Sequence, residues 1–232
     1  MSKTDVGYRR ERKLDDVIKG KGYPNTEVVG VSVLHCASLC GSNSSCSSFF
    51  FLPTTGRCLL YEDVFENPDG GQTSSGARYF TADDPDCPSV EGYVWFRKQD
   101  ICIKIFSSVK NFTDAYRACV SVGSRLAVLD TGAKLRAVIG YLEELNLTSR
   151  FYIGAMREGV LTDSRRTWNN ALHPLYWLNG VQVALSEPDS DWSTGNPDNE
   201  LAMEGCLEIR NWKYNDIPCG LSKQFICEKE LN

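Results

Sequence analysis

Histidine is almost missing from this sequence: 232 residues contain only His35 and His173. That scarcity thins out the side chain most used for acid–base chemistry near neutral pH. His35 precedes Cys36 and His173 lies in the polar segment TWNNALHP, so each reads as a surface or packing residue. Long apolar runs are missing too. The longest have four residues; one of them, Phe49-Phe50-Phe51-Leu52, reads as a buried strand, and all fall far short of the roughly 18 residues that span a bilayer. There is no excess of basic residues: 25 Lys and Arg face 30 Asp and Glu, for a net charge of −5. A cationic footprint for nucleic acid is therefore absent. The Gly-x-Ser-x-Gly, P-loop and dinucleotide signatures do not occur, and the chain is expected not to be an enzyme. The first twenty residues, MSKTDVGYRRERKLDDVIKG, carry no apolar stretch of the kind a signal peptide needs.

Cysteine, in contrast, is abundant. Ten cysteines in even number, without matching histidine spacing, argue for disulfides rather than zinc. Disulfides persist in secreted proteins, so the expected location is secreted or extracellular, with a signal or anchor lying upstream of this sequence. Asn43, Asn111 and Asn146 each open an Asn-x-Ser/Thr sequon and are glycosylation candidates in that compartment.

Two regions separate by composition. In residues 1–82, Ser32 can cap a helix VLHCASLC that sets Cys36 and Cys40 on one face. A strand from Cys46 to Leu52, a Pro53–Gly56 turn and a returning strand Cys58–Tyr61 follow. Residues 66–76, ENPDGGQTSSG, read as a loop, and Ala77–Phe80 as the last strand of the region. This order of helix cysteines, Cys-x-x-Phe strand and Cys-Leu strand resembles a PAN/apple domain. The resemblance implies the bonds Cys36–Cys58 and Cys40–Cys46, although the bridge that ties the termini of an apple domain has no counterpart. A unit this small needs such staples. Its functional reading is adhesion to a protein or glycan, against a spacer. Residues 83–86, Asp-Asp-Pro-Asp, read as the linker.

Residues 87–232 carry two helical patterns. Thr113 to Val122 places Ala115, Cys119 and Val122 on one face, and Leu135, Val138, Ile139, Leu142 and Leu145 form an i, i+3, i+4, i+7 stripe expected in the core. The most informative stretch is DWSTGNPDNELAMEGCLEIRNWKYNDIPC, residues 191–219. It gathers Asn196, Asp198, Glu204, Asn215 and Asp216 around one proline. Carboxylate and amide oxygens are the ligands that hard cations such as Ca²⁺ select, six to eight at a time. Taken alone, such a loop is also an ordinary solvated turn.

A wider set of anchors occurs in order: Cys87-Pro88 and Cys102, Phe151-Tyr152-Ile153-Gly154-Ala155, Trp192 with Gly195-Asn196-Pro197-Asp198, then Glu204, Cys206, Trp212, Asn215, Asp216, Cys219 and Phe225-Ile226-Cys227-Glu228. Together they resemble a C-type lectin-like domain of the long form. The resemblance implies an α+β chain of two disulfide-stapled domains. One is a small PAN/apple-like helix-on-sheet unit. The other is a lectin-like domain with two helices, antiparallel sheets and a long calcium loop. It further implies Cys87–Cys102, Cys119–Cys227 and Cys206–Cys219, and a cis peptide before Pro197 in the calcium-loaded form. As metal ligands it implies Asn196, Asp198, Glu204, Asn215 and Asp216 for one Ca²⁺, with Asn196, Asp198, Glu204 and Asn215 also reading sugar hydroxyls. The family's auxiliary calcium site is expected to be lost, because Asn199 and Gly205 stand where it has carboxylates.

The function implied is a calcium-dependent carbohydrate-binding lectin, in innate recognition or adhesion, whose partners are glycans of cell surfaces or glycoproteins. A protein ligand would engage the N-terminal domain if that domain is adhesive. The amide-then-carboxylate order of Asn196-Pro197-Asp198 leans to galactose-type sugars. The expected stacking aromatic is missing from Asn199–Met203, and of the nearby aromatics Trp192 and Trp212 are expected in the core, which leaves Tyr214. The alternative is a lectin-like module that binds protein without sugar.

Overall fold

The computed structural model describes residues 6–19, 26–148, 150–162, 167–168, 172–186 and 191–231. The chain divides into two compact units. One comprises Met1–Cys102 with Gly140–Leu147 and Leu231–Asn232; the other comprises Ile103–Ile139 and Thr148–Glu230.

The first unit contains β1 (Gly7–Arg10), β2 (Val17–Lys19), β3 (Thr26–Val28), α1 (Val33–Ser42), β4 (Ser48–Leu52), β5 (Arg57–Tyr61), β6 (Gly71–Thr73), β7 (Arg78–Asp83) and β8 (Val94–Phe96). Five of these strands form an antiparallel sheet in the order β1-β7-β4-β5-β3. The apolar run in β4 is explained by cover on both faces. Phe49 and Phe51 cluster with Cys36, Cys40, Cys46 and Cys58, while Phe50 points the other way, to Leu14, Leu59, Phe65 and Tyr79. A strand buried on two sides has no use for polar alternation. Helix α1 starts where Ser32 Oγ accepts the His35 N–H at 3.2 Å. Its C-terminal carbonyls meet no basic residue of its own last turn. Arg97 supplies the donors instead, reaching the carbonyls of Cys40, Asn43 and Cys46 with Nη1 and that of Gly41 with Nη2. One departure from the sequence reading lies in residues 66–76. They are not wholly loop, because Gly71–Thr73 pairs with Val17–Lys19 as an antiparallel ribbon. Gly71 fits there since a Cβ would sit 2.2 Å from a Val17 methyl. Asp83 ends β7, and the Asp84 carbonyl accepts the Cys87 N–H at 2.9 Å.

The second unit holds most of β9 (Ile101–Lys110), then α2 (Phe112–Ser121), β10 (Arg125–Leu126), most of α3 (Gly132–Glu144), β11 (Phe151–Arg157), β12 (Leu175–Trp177), β13 (Cys206–Arg210), β14 (Lys213–Ile217) and β15 (Lys223–Lys229). The strand order is β14-β13-β11-β15-β9, with β10 on β15 and β12 on β11. Most pairs are antiparallel; β11 and β15 run parallel. Asn111 caps α2 by accepting the Asp114 N–H at 2.9 Å. Ala115 and Cys119 of α2 are fully buried, but Val122 is 41 % exposed, because the helix ends at Ser121 and Val122 serves as its C-cap. In the stripe expected in the core, Leu135, Val138 and Leu142 are buried, whereas Ile139 and Leu145 are only half-buried. Gly154 allows β11 to press on the neighbouring chain: a Cβ there would lie 2.3 Å from the Leu126 carbonyl oxygen.

Five disulfides join Cys36 to Cys58, Cys40 to Cys46, Cys87 to Cys102, Cys119 to Cys227 and Cys206 to Cys219, the pairs that the two resemblances imply. No cysteine is free. No helix among the described residues is long and apolar enough to cross a membrane.

Candidate metal and glycan site

The hairpin β13–β14 brings the site together. Its register sets Leu207 opposite Asp216 and Glu208 opposite Asn215. The turn is made by Asn211 and Trp212 with φ of 49° and 65°, left-handed values of the kind that favour tight two-residue hairpins. Cys206–Cys219 closes the hairpin, so Glu204 lies just before the strand that faces Asp216. From the other direction comes the loop Gly195–Asp198, in which the Asn196–Pro197 peptide is cis.

Asp198, Glu204 and Asp216 each offer a carboxylate oxygen within 4.8 Å of the others. Asn196 Oδ1 faces Asp198 Oδ1 and Asp216 Oδ1 at 3.2 and 3.0 Å, while its Nδ2 donates to Asn215 Oδ1 at 3.1 Å. Three acceptor oxygens around one point repel unless a cation sits between them or the Asn196 amide turns over to donate. A set of oxygen donors alone, three of them from carboxylates, fits a hard divalent cation such as Ca²⁺.

Burial sharpens that demand. Glu204 and Asp216 are 8 % and 0 % exposed, whereas Asp198 is exposed. Desolvation pushes the Glu204 carboxyl up to about 7, assisted by the negative charges of Asp216 and Asp198 and opposed by the Glu200 N–H. Burial also raises Asp216, against the Asn199 N–H, the Arg157 guanidinium and the Asp198 N–H, which lower it. Excess negative charge with too little compensation is what a bound cation would relieve.

Two residues that sequence reasoning passed over hold this site in shape. Glu208 is fully buried, bonded by Arg150 Nε at 2.8 and 3.0 Å, and accepts Asn215 Nδ2 at 3.1 Å. The second Asn215 N–H goes to the Asp216 carbonyl at 2.8 Å, which leaves Asn215 Oδ1 facing Asn196. Arg157, at the end of β11, is 2 % exposed and paired with Asp216 at 3.2 Å. The signal for both was present: a charged residue at an inward position of a strand otherwise apolar.

Asn199 and Gly205 have structural duties. Asn199 Nδ2 donates to the Trp168 carbonyl at 2.7 Å and its Oδ1 accepts the Glu204 N–H at 3.0 Å. The Trp168 ring covers Gly205 so closely that a Cβ would meet it at 2.6 Å. The aromatics fall out differently from the sequence reading. Tyr214 is the core residue, fully buried with its hydroxyl donating to Leu129 O at 2.6 Å. Trp192 and Trp212 are only half-buried. His35 is exposed on α1, and the His173 carbonyl accepts from Arg157 at 2.6 Å.

Residues 108–229 match the C-type lectin domain and residues 13–87 match the PAN domain. The chain belongs to the C-type lectin domain family and carries an N-terminal PAN domain. Among similar proteins is perlucin of Haliotis laevigata, 29 % identical over 130 residues, which cover 54 % of this chain and 74 % of perlucin. CD209 antigen-like protein A of Mus musculus is 28 % identical over 135 residues, 58 % of this chain and half of the mouse protein. Among solved structures, an SPL-1–GlcNAc complex is 19 % identical, covers 64 % of this chain and all of that one, and has a TM-score of 0.49.

Proposed function

We propose that this protein is an extracellular, calcium-dependent carbohydrate-binding lectin rather than an enzyme. The observation that carries the reading is the convergence of Asn196, Asp198, Glu204 and Asp216 oxygens around one point, with Asn215 held beside them. Asn196, Asp198, Glu204, Asn215 and Asp216 would hold one Ca²⁺. The bound ion supplies a charge centre that accepts two neighbouring sugar hydroxyl oxygens. The side chains do the discriminating: carboxylates only accept a hydroxyl proton, whereas an amide donates through its NH₂. With the amide at 196 and the carboxylate at 198, the loop presents the galactose-type order. Leu201, 82 % exposed, gives the segment after the motif an apolar surface in place of an aromatic one. Five disulfides and no free cysteine support an oxidising compartment.

The test is a glycan array read with Ca²⁺ and with chelator, on the native chain and on the double variant Asn196→Glu with Asp198→Asn. The exchange keeps the carboxylate count, so calcium should still bind. Leaving a buried polar group unpaired costs about 1–3 kcal/mol, enough to move preference tenfold or more. Galactose-type ligands should lead on the native chain and mannose-type ligands on the variant. Chelator-insensitive binding would overturn the calcium dependence, and an unchanged ranking of sugars would overturn this loop as the sugar reader and favour a protein ligand.

A further inference from the structure

The chain carries its own cation beside the carboxylates. The Arg157 guanidinium is almost wholly buried and is held by three separate segments. Nε donates to the Glu204 carbonyl at 2.7 Å, Nη1 to the His173 carbonyl at 2.6 Å and Nη2 to Asp216 Oδ2 at 3.2 Å. The Arg157 backbone N–H adds a bond to the Gly205 carbonyl at 2.8 Å. The charge pairs with Oδ2 of Asp216; Oδ1 of the same carboxylate faces Asn196 and accepts the Asp198 N–H at 3.2 Å. Oδ2 also takes the Asn199 N–H at 3.0 Å. A single planar fork thus fixes Asp216, the residue that joins the hairpin to the loop, and together with the Arg157 backbone N–H it holds the carbonyls of Glu204 and Gly205.

We infer that Arg157 is a positioning residue that keeps the 196–205 loop ordered without any metal, so that calcium meets a preformed site. The chemistry is specific to arginine. A lysine keeps the charge but has no planar fork and cannot hold three diverging acceptors at once. Losing an outer partner of metal ligands costs about ten- to a hundred-fold in metal affinity. The charge of Arg157 itself repels a second cation, so the geometric and Coulombic effects oppose each other. Arg157→Lys holds the charge constant and isolates the geometric one.

The inference builds on the calcium reading, and its first test is run without calcium. Amide hydrogen exchange is followed over residues 196–205 in chelator. In the native chain the N–H groups of Asp198, Asn199 and Glu204 should be protected, since each has a buried acceptor. In Arg157→Lys that protection should vanish in chelator and return with millimolar calcium, while the amides of β11 and β15 stay unchanged. Half-saturation by calcium, read by titration of intrinsic tryptophan fluorescence, should move up about ten- to a hundred-fold. Unprotected loop amides in the chelated native chain would overturn the inference even if the variant fails to fold. So would a variant identical to the native chain in exchange and calcium response, or one that loses protection throughout the unit with no recovery. A native chain that ignores calcium but shows a protected loop, lost in the variant, would support Arg157 and sink the calcium reading alone.

Discussion

At the scale of single residues, Glu204 makes an opposite prediction for the two states of the site. Its carboxyl is raised to about 7 in the metal-free fold, above the ordinary glutamate value near 4.3. An acid with a raised folded pKa favours folding when protonated, so its contribution is lost as pH climbs from the ordinary value through 7. Chelated protein should therefore melt higher at pH 5 than at pH 7.5 as far as this group governs it. Calcium requires the ionised form, so with millimolar Ca²⁺ the trend should reverse. Melting curves at both pH values, with calcium and with chelator, check it, and Glu204→Gln should flatten the chelated trend. The carboxylates that converge, Asp198, Glu204 and Asp216, were readable as a group because they crowd a polar stretch. Arg157 and Glu208 left only a faint signal, a charge within the apolar runs of β11 and β13, because the partners that hold them, Asp216 and Arg150, are distant in sequence.

Among the elements, the helices were legible and the short strands were not. Capping residues and 3.6-residue stripes are local signals, which is why Ser32, α1 and α2 were placed within a residue or two at the start. β6 was hidden in a Gly/Ser stretch because its pairing with β2 comes from chain distant in sequence. The capping of α2 gives a direct test. Asn111→Ala removes the acceptor for the Asp114 N–H and should cost about 1 kcal/mol, whereas Asn111→Asp or Asn111→Ser should cost far less. Chemical denaturation of the three proteins decides it, and equal midpoints would refute the cap. Gly154 gives a larger effect. A methyl there would sit 2.3 Å from a carbonyl oxygen of the backbone, which cannot rotate away. Gly154→Ala should lose about 1–3 kcal/mol or more, as overpacking does, while Gly180→Ala, open but at φ 84°, should act only through its backbone strain.

For the whole molecule, the disulfides differ in how much chain they restrain. Cys119–Cys227 spans 108 residues and Cys40–Cys46 spans 6. In the chain-entropy account the longer loop should contribute about 5 kcal/mol and the shorter about 2. Replacing each pair by serine should reproduce that order in urea denaturation, each unit followed by its own fluorescence change. The PAN and C-type lectin families were both legible because their anchors are cysteines, aromatics and glycines in fixed order. The extent of the first compact unit, which takes in Gly140–Leu147, was not legible, because residues 83–86 look like a break in composition and the contacts that define the unit are not local.

The placement of the bonds bears on how the chain is made. No disulfide joins one compact unit to the other. All six cysteines of the first unit also precede all four of the second. Six cysteines allow 15 pairings and four allow 3, whereas a common pool of ten would allow far more. Synthesis from the N-terminus therefore sorts the thiols by time of arrival. The first three bonds have all their cysteines before Cys119 emerges. Cys119 must then wait for Cys227, passing Cys206 and Cys219 on the way, and those two are the natural wrong partners. Any slow, isomerase-dependent phase of oxidative folding is expected in the second compact unit, which holds Cys119, Cys206, Cys219 and Cys227, and not in the first.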